Sequence, residues 1–178
     1  MVMARRAVRL VLLLVLLVVA APQAAIADGL RLLPFRATST LVSATELMPM
    51  PQCGGQGFLG ETDIYSGTGT HLGTFTLTET LCMDFRTFNP PAQPLIPYEV
   101  TGTYVAANDD VLSYFATGAF NVVTGANTGK GFSFTGGTGR FTNAQGSGST
   151  GFVFDENGEI VGLRQTGTIS YEASDRSG

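Results

Sequence analysis

Between residues 71 and 85 the chain alternates with a period of two. Thr74, Thr76, Thr78 and Thr80 fall on one side, and Phe75, Leu77, Leu81 and Met83 fall on the other. Successive side chains of a strand point to opposite faces, so this stretch reads as a strand with one wet and one dry face. Glu79 is the one residue that breaks the apolar face. Alternation, or enrichment in β-branched and aromatic residues, predicts further strands over 36–47, 57–65, 98–107, 111–123, 130–135, 148–154 and 160–171. The stretch 111–123 is apolar on both phases, with Tyr114, Phe120 and Val122 on one and Phe115, Ala119 and Val123 on the other. That pattern predicts a strand covered on both sides.

Proline and glycine punctuate these runs. Met48-Pro49-Met50-Pro51 stops the first strand, Ser66-Gly67-Thr68-Gly69 reads as a turn, and the prolines at 90, 91, 94 and 97 form a long break. Residues 28–35, with Pro34, read as a lead-in outside the sheet, and 124–129 as a turn. Asp155-Glu156-Asn157-Gly158 carries the Asn-Gly signal of a tight hairpin. Past residue 27 no window of a dozen residues shows helical periodicity free of glycine or proline. The expected class is all-β, a single eight-stranded antiparallel barrel rather than a sandwich, because closure removes exposed strand edges.

The amino terminus changes how much of the chain counts as that barrel. Arg5, Arg6 and Arg9 precede a Leu/Val/Ala run over 10–21, and Ala25-Ile26-Ala27 supplies a small-x-small cleavage pattern. These are the three regions of a secretory signal peptide, 1–27, leaving residues 28–178 as the barrel domain. The alternative is a retained anchor, but the apolar run is shorter than the roughly 20 residues that span a bilayer. Removing three arginines from ten basic residues leaves seven against fourteen acidic ones, a balance of about −7. That balance argues against nucleic acid and anionic lipid as partners. The expected location is secreted, extracellular or periplasmic, without stable membrane insertion after cleavage. In an oxidising compartment Cys53 and Cys82 are expected to form a disulfide. With one histidine and no Cys-x-x-Cys spacing, neither a metal site nor any other cofactor is expected.

The densest glycine run follows Phe132. Phe134-Thr135-Gly136-Gly137-Thr138-Gly139-Arg140-Phe141-Thr142-Asn143-Ala144-Gln145-Gly146 resembles the GGTG-(R/K)-F-x-x-A-x-G signature of the allene oxide cyclase and dirigent barrels, a calycin-type family. The resemblance, to a bacterial-type secreted member, extends over about 98–171 and is vaguer before that. It implies an eight-stranded antiparallel barrel with an apolar cavity, a possible homotrimer or homodimer, and cofactor-free cyclase or isomerase chemistry in some members. Of the functional positions only the signature carries over, Gly136, Gly137, Gly139, Arg140, Phe141 and Gly146, and its family role is structural.

Among candidate chemical groups Glu79 stands first. On a lumen-facing strand its carboxyl would be desolvated and poised to donate or accept a proton; the alternative leaves it in water at the barrel mouth. Phe75, Leu77, Tyr104 and Tyr114 are candidates to contact a ligand, the tyrosines being weighed against a role as ordinary wall residues. Arg140 is expected in a structural ion pair or at the surface rather than on an anion. His71, the lone histidine, lacks a nucleophile elbow beside it. The 146–151 run fits G-x-G-x-x-G on paper but leads into Phe152-Val153-Phe154 instead of a helix, so it is no dinucleotide loop. Three readings follow: a barrel that binds a small apolar molecule, a cyclase or isomerase acting on such a molecule, and a non-catalytic structural or surface-associated barrel. Whether the protein is an enzyme stays open at this level.

Overall fold

The inward-outward alternation that marks 71–85 recurs around the whole molecule, and it closes into a ring. The computed structural model describes residues 31–129 and 131–172. The leader expected over 1–27 lies outside the described residues. Among the described residues nine strands form: β1 (Leu33–Ala44), β2 (Phe58–Gly69), β3 (Gly73–Asp84), β4 (Leu95–Ala106), β5 (Val111–Asn121), β6 (Asn127–Thr128), β7 (Gly131–Gly137), β8 (Gln145–Phe154) and β9 (Ile160–Ser170). Eight of them pair antiparallel in the order β4-β3-β2-β1-β9-β8-β7-β5, and a further β4–β5 ladder closes the barrel. The two-residue β6 hangs on β5 outside the ring. Apart from that flap the chain simply meanders up and down, and β9 returns to β1.

Several boundaries differ from the sequence reading for identifiable reasons. The lead-in around Pro34 is part of β1, with Phe35 buried. Proline is tolerated there because β1 pairs with β9 from Leu33 but with β2 only from Ala37, so one flank of Pro34 is a sheet edge. Pro97 lies within β4 in the same way: it faces Ala119 of β5, whereas pairing with β3 starts at Tyr98. Ser66-Gly67-Thr68-Gly69 is not a turn but the end of β2. A Cβ on Gly67 would sit 2.2 Å from the Thr38 carbonyl oxygen, so this glycine serves the close approach of β1. The true turn is Thr70-His71-Leu72, where His71 takes the left-handed φ of 66°.

The stretch 111–123 is also not covered on both sides. Leu112 and Tyr114 point into the barrel, but Phe115 is 37% exposed on the outer wall, and the strand stops at Asn121. Its double apolar phase therefore reflects one buried face and one wet face that happens to carry aromatic and alanine residues. The expected turn 124–129 contains β6.

Cys53 and Cys82 are disulfide-bonded, pinning the β1–β2 connection to the outer face of β3. Gly60 lies opposite Cys82 on β2 and makes room for the bridge: a Cβ there would stand 2.6 Å from the Cys53 sulfur.

The glycine cluster turns the wall from β7 into β8. Gly136 and Gly139 have φ of 97° and 55°, values that favour glycine, and a single 3-10 turn, Gly139–Phe141, follows. The turn folds Phe141 and Ala144 inward, both buried, where they cap one end of the lumen. Arg140 stays on the outside, with its guanidinium 3.4 Å from the Asp110 carboxylate and stacked 4.8 Å over the Phe141 ring.

Candidate functional site: an acid-floored cup in the open half of the barrel

An eight-stranded barrel is just wide enough either to be filled by side chains or to hold one small ligand. This one does both, at different levels. Towards the β2–β3, β4–β5 and β7–β8 connections the lumen is solid. Phe35, Phe75, Tyr104, Phe132 and Phe134 meet there in edge-to-face pairs with centroids 4.9–6.2 Å apart, over Leu72, Leu77 and Leu112. Towards the opposite end the inward positions of β4 and β5 shrink to Val100, Gly102, Ala116 and Gly118. There the packing stops, leaving a cup of about 600 Å³.

The cup wall is largely apolar, with Leu41, Leu81, Met83, Phe120 and Phe152 among its lining. Its floor is not. Asp63 of β2 lies directly opposite Glu79 of β3, Glu79 opposite Gly102 of β4, and Gly102 opposite Tyr114 of β5. These positions form one row across four strands, all facing inward. Gly102 is the residue that makes the row work. A Cβ there would lie 2.0 Å from the Tyr114 ring, so only glycine lets the ring lie flat across β4 and its hydroxyl donate to Glu79 Oε1. The neighbouring Tyr65 donates to Asp63 Oδ2 at 3.1 Å, whereas Asp63 Oδ1 is buried with no hydrogen-bond partner. Glu61, two positions before Asp63 on the same face, adds a third carboxyl to the lining. Beneath the floor Tyr104 donates to Gln165 Oε1, and the Gln165 amide donates to Thr150 Oγ1 at 3.3 Å.

Burial dominates the electrostatics. Desolvation, with a smaller contribution from the charge of Asp63, pushes the Glu79 carboxyl up from 4.5 to about 8. Asp63 is raised by burial, partly offset by the Tyr65 hydrogen bond, and Glu61 is raised by burial and then by Asp63. The Tyr65 hydroxyl is pushed up by burial and by the surrounding carboxylates. At neutral pH the floor thus holds Glu79 largely as the neutral acid, able to donate a proton into an apolar chamber.

The candidate residues read from the sequence divide between the two levels. Glu79 and Tyr114 line the cup and are bonded to each other. Phe75, Leu77 and Tyr104 do not line it; they are fully buried in the solid half, where large neighbours leave no space for a ligand. Glu79 is not at a wet mouth, because the Phe75-Leu77-Leu81-Met83 face is the inner one. The residues that sequence reasoning passed over are Glu61, Asp63, Tyr65 and Gln165. A signal for the first three was present, since Glu61, Asp63 and Tyr65 alternate with Thr62 and Ile64 and must share a face. Nothing in the sequence marked Gln165.

At the solid end lies a broader depression, lined by His71, Asn108, Asp110 and Arg140 and open to solvent. Its polar groups largely serve one another: Arg140 pairs with Asp110 and donates to Asn108, and His71 bonds Tyr171 and the Pro34 carbonyl, although the buried Arg140 Nε makes no hydrogen bond. The cup is the site with an unspent buried acceptor, Asp63 Oδ1. Among the described residues no group of three or more His, Cys, Asp or Glu side chains converges closely enough to hold a metal ion. Comparison with protein-family models, with curated proteins and with solved structures finds no match to this chain.

Proposed function

We propose that the protein is a secreted barrel, of the allene oxide cyclase and dirigent type, that binds a small, mostly apolar molecule in the open half of its lumen. The observation that carries this reading is the cup itself. About 600 Å³ enclosed by apolar walls over a few convergent polar groups is the usual form of a small-molecule site. The family assignment rests on the Gly136–Gly146 signature together with the eight-stranded antiparallel closure. Secretion rests on the amino-terminal pattern and agrees with the Cys53–Cys82 bridge. Among the described residues no helix is long and apolar enough to cross a membrane. Native mass spectrometry of protein isolated from its host tests the binding reading: an adduct of small-molecule mass is expected, and it should vanish in Ala116→Phe, which fills the cup. A bare mass for both proteins overturns the reading.

A second reading, catalysis of a cyclisation or isomerisation on the bound molecule, is favoured by one specific feature. Glu79 lines the cup and combines a raised pKa with a hydrogen bond from Tyr114 that holds one carboxyl oxygen. Such a group is suited to general acid catalysis near neutral pH, and shape would supply the rest. Glu79→Gln keeps the hydrogen bond from Tyr114 but removes the transferable proton. It should abolish turnover of any substrate found, and unchanged turnover would sink the catalytic role. Self-assembly through the outer wall, where Val105 and Phe115 are exposed, is tested by light scattering, a strict monomer counting against it.

A further inference from the structure

We infer that the molecule bound in the cup carries a basic nitrogen: an amine-bearing apolar compound whose ammonium group sits on the Asp63–Glu79 floor while its hydrocarbon part fills the chamber above. This inference rests on the binding reading of the cup and adds the chemical class of its occupant.

The argument is an account of donors and acceptors. The floor and its surroundings offer the carboxyls of Glu61, Asp63 and Glu79. The tyrosine hydroxyls of the lining are already committed, Tyr65 to Asp63, Tyr114 to Glu79 and Tyr98 to Asn127 and the Gly129 carbonyl, and the Thr150 hydroxyl accepts from Gln165. What remains open is acceptor capacity, most plainly Asp63 Oδ1, which is buried and has no partner. A buried acceptor without a donor costs about 1–3 kcal/mol, so the group that best fills the floor is rich in donors. No arginine is among the cup-lining residues. An ammonium supplies three donors and the compensating charge in one group. An alcohol supplies one donor and no charge. A fatty carboxylate supplies no donor and shares the sign of every ionised carboxyl on the floor.

A metal ion fits less well, because these carboxyls do not converge as a ligand set among the described residues. The tyrosine rings of Tyr65, Tyr98 and Tyr114 in the lining add faces that favour a cation over a neutral head group. The acidic balance of the whole chain acts in the same direction at longer range. Glu79 faces Asp63 directly and Glu61 and Tyr65 diagonally from β2, Tyr104 from β4 and Tyr114 from β5, all acidic or neutral groups. Burying an ammonium against Glu79 therefore favours its ionised form, and uptake of an amine should release protons to the buffer.

The test is calorimetric titration of the disulfide-bonded protein with three probes of equal chain length, octylamine, 1-octanol and octanoate, at pH 7. Octylamine is expected to bind at least about tenfold more tightly than octanol, from charge-assisted hydrogen bonds, with octanoate weakest. Its apparent enthalpy should change with the ionisation enthalpy of the buffer as protons are released. Asp63→Asn and Glu79→Gln should each lower octylamine affinity more than octanol affinity and so remove most of the amine's advantage, because each takes one ionisable carboxyl from the floor. If octanol and octanoate bind as tightly as octylamine, or if both variants leave the amine's preference intact, the amine inference is overturned and the apolar-cup reading stands. If none of the three probes binds, the cup reading itself fails.

Discussion

The two halves of this barrel are built from the same eight strands and differ only in the side chains at successive inward positions. In the solid half, large residues face one another: Phe35, Phe75, Tyr104, Phe132, Phe134 and Phe141 leave no space. In the open half, several of the positions that continue those strands are small, Val100, Ala116 and Gly118, or polar, Asp63 and Glu79, and the larger apolar residues line the wall without meeting across it. A barrel therefore need not choose between core and container. One end supplies the burial that folds the chain, and the other is free to carry unsatisfied acceptors that a core would not tolerate.

Four experiments sharpen or break that contrast. The largest effect is expected at the floor. The folded carboxyl of Glu79 titrates at about 8 and the unfolded one at 4.5, so the fold holds a proton that the unfolded chain releases. Stability should be full below about pH 4.5, fall as pH rises towards 8, and level off above it. The displacement corresponds to about 5 kcal/mol at most. Glu79→Gln lacks this loss, so urea unfolding should show it more stable than the parent at pH 9 and similar at pH 4.5. Asp63 and Glu61, also raised, give the same sign and leave a shallower slope in the variant. An equal stability difference at both pH values would contradict a desolvated Glu79.

In the solid half, Phe141→Ala removes the residue that caps the lumen and should cost about 3–5 kcal/mol in the same assay. Phe152→Ala in the cup wall removes the same side chain from a half-open site and should cost roughly 1 kcal/mol. Comparable losses at the two positions would mean that the cup closes up in solution. Reduction of the Cys53–Cys82 bridge, whose cysteines lie 29 residues apart, should destabilise by about 3.5 kcal/mol through the entropy of the unfolded loop. The cup should keep its shape on reduction, since the bridge lies on the outer wall. Gly102→Ala is predicted to cost about 1–3 kcal/mol by driving the Tyr114 ring off the floor. Its distinguishing readout is the Glu79 titration followed by NMR, which should move when the hydrogen bond from Tyr114 is lost.

The all-β class, the eight-strand count and the Cys53–Cys82 pairing were legible in period-two patterns, turn residues and cysteine count. The inner face of β3 was legible too, because four apolar residues outvote one glutamate. The misread boundaries, at Pro34, Pro97 and Ser66–Gly69, share one cause. Proline and glycine were read as breakers, whereas here they mark a sheet edge or a close strand approach, and only pairing partners distinguish those cases. The site was half legible. Glu79 stood out against its own strand, but Asp63 and Tyr114 became its neighbours only through the registers of β2–β3, β3–β4 and β4–β5.

The sequence by itself determined which residues alternate, where the wall must turn, and that one carboxyl shares a face with Phe75 and Met83, because these depend on local geometry repeated every two residues. Only the tertiary structure decided that the lumen is full at one end and hollow at the other. Volume at a given height in a barrel is the sum of side chains from eight strands far apart in the chain. Gly102 illustrates the difference: in the sequence it is an unremarked glycine within a strand, and in the barrel it is the gap across which Tyr114 reaches Glu79.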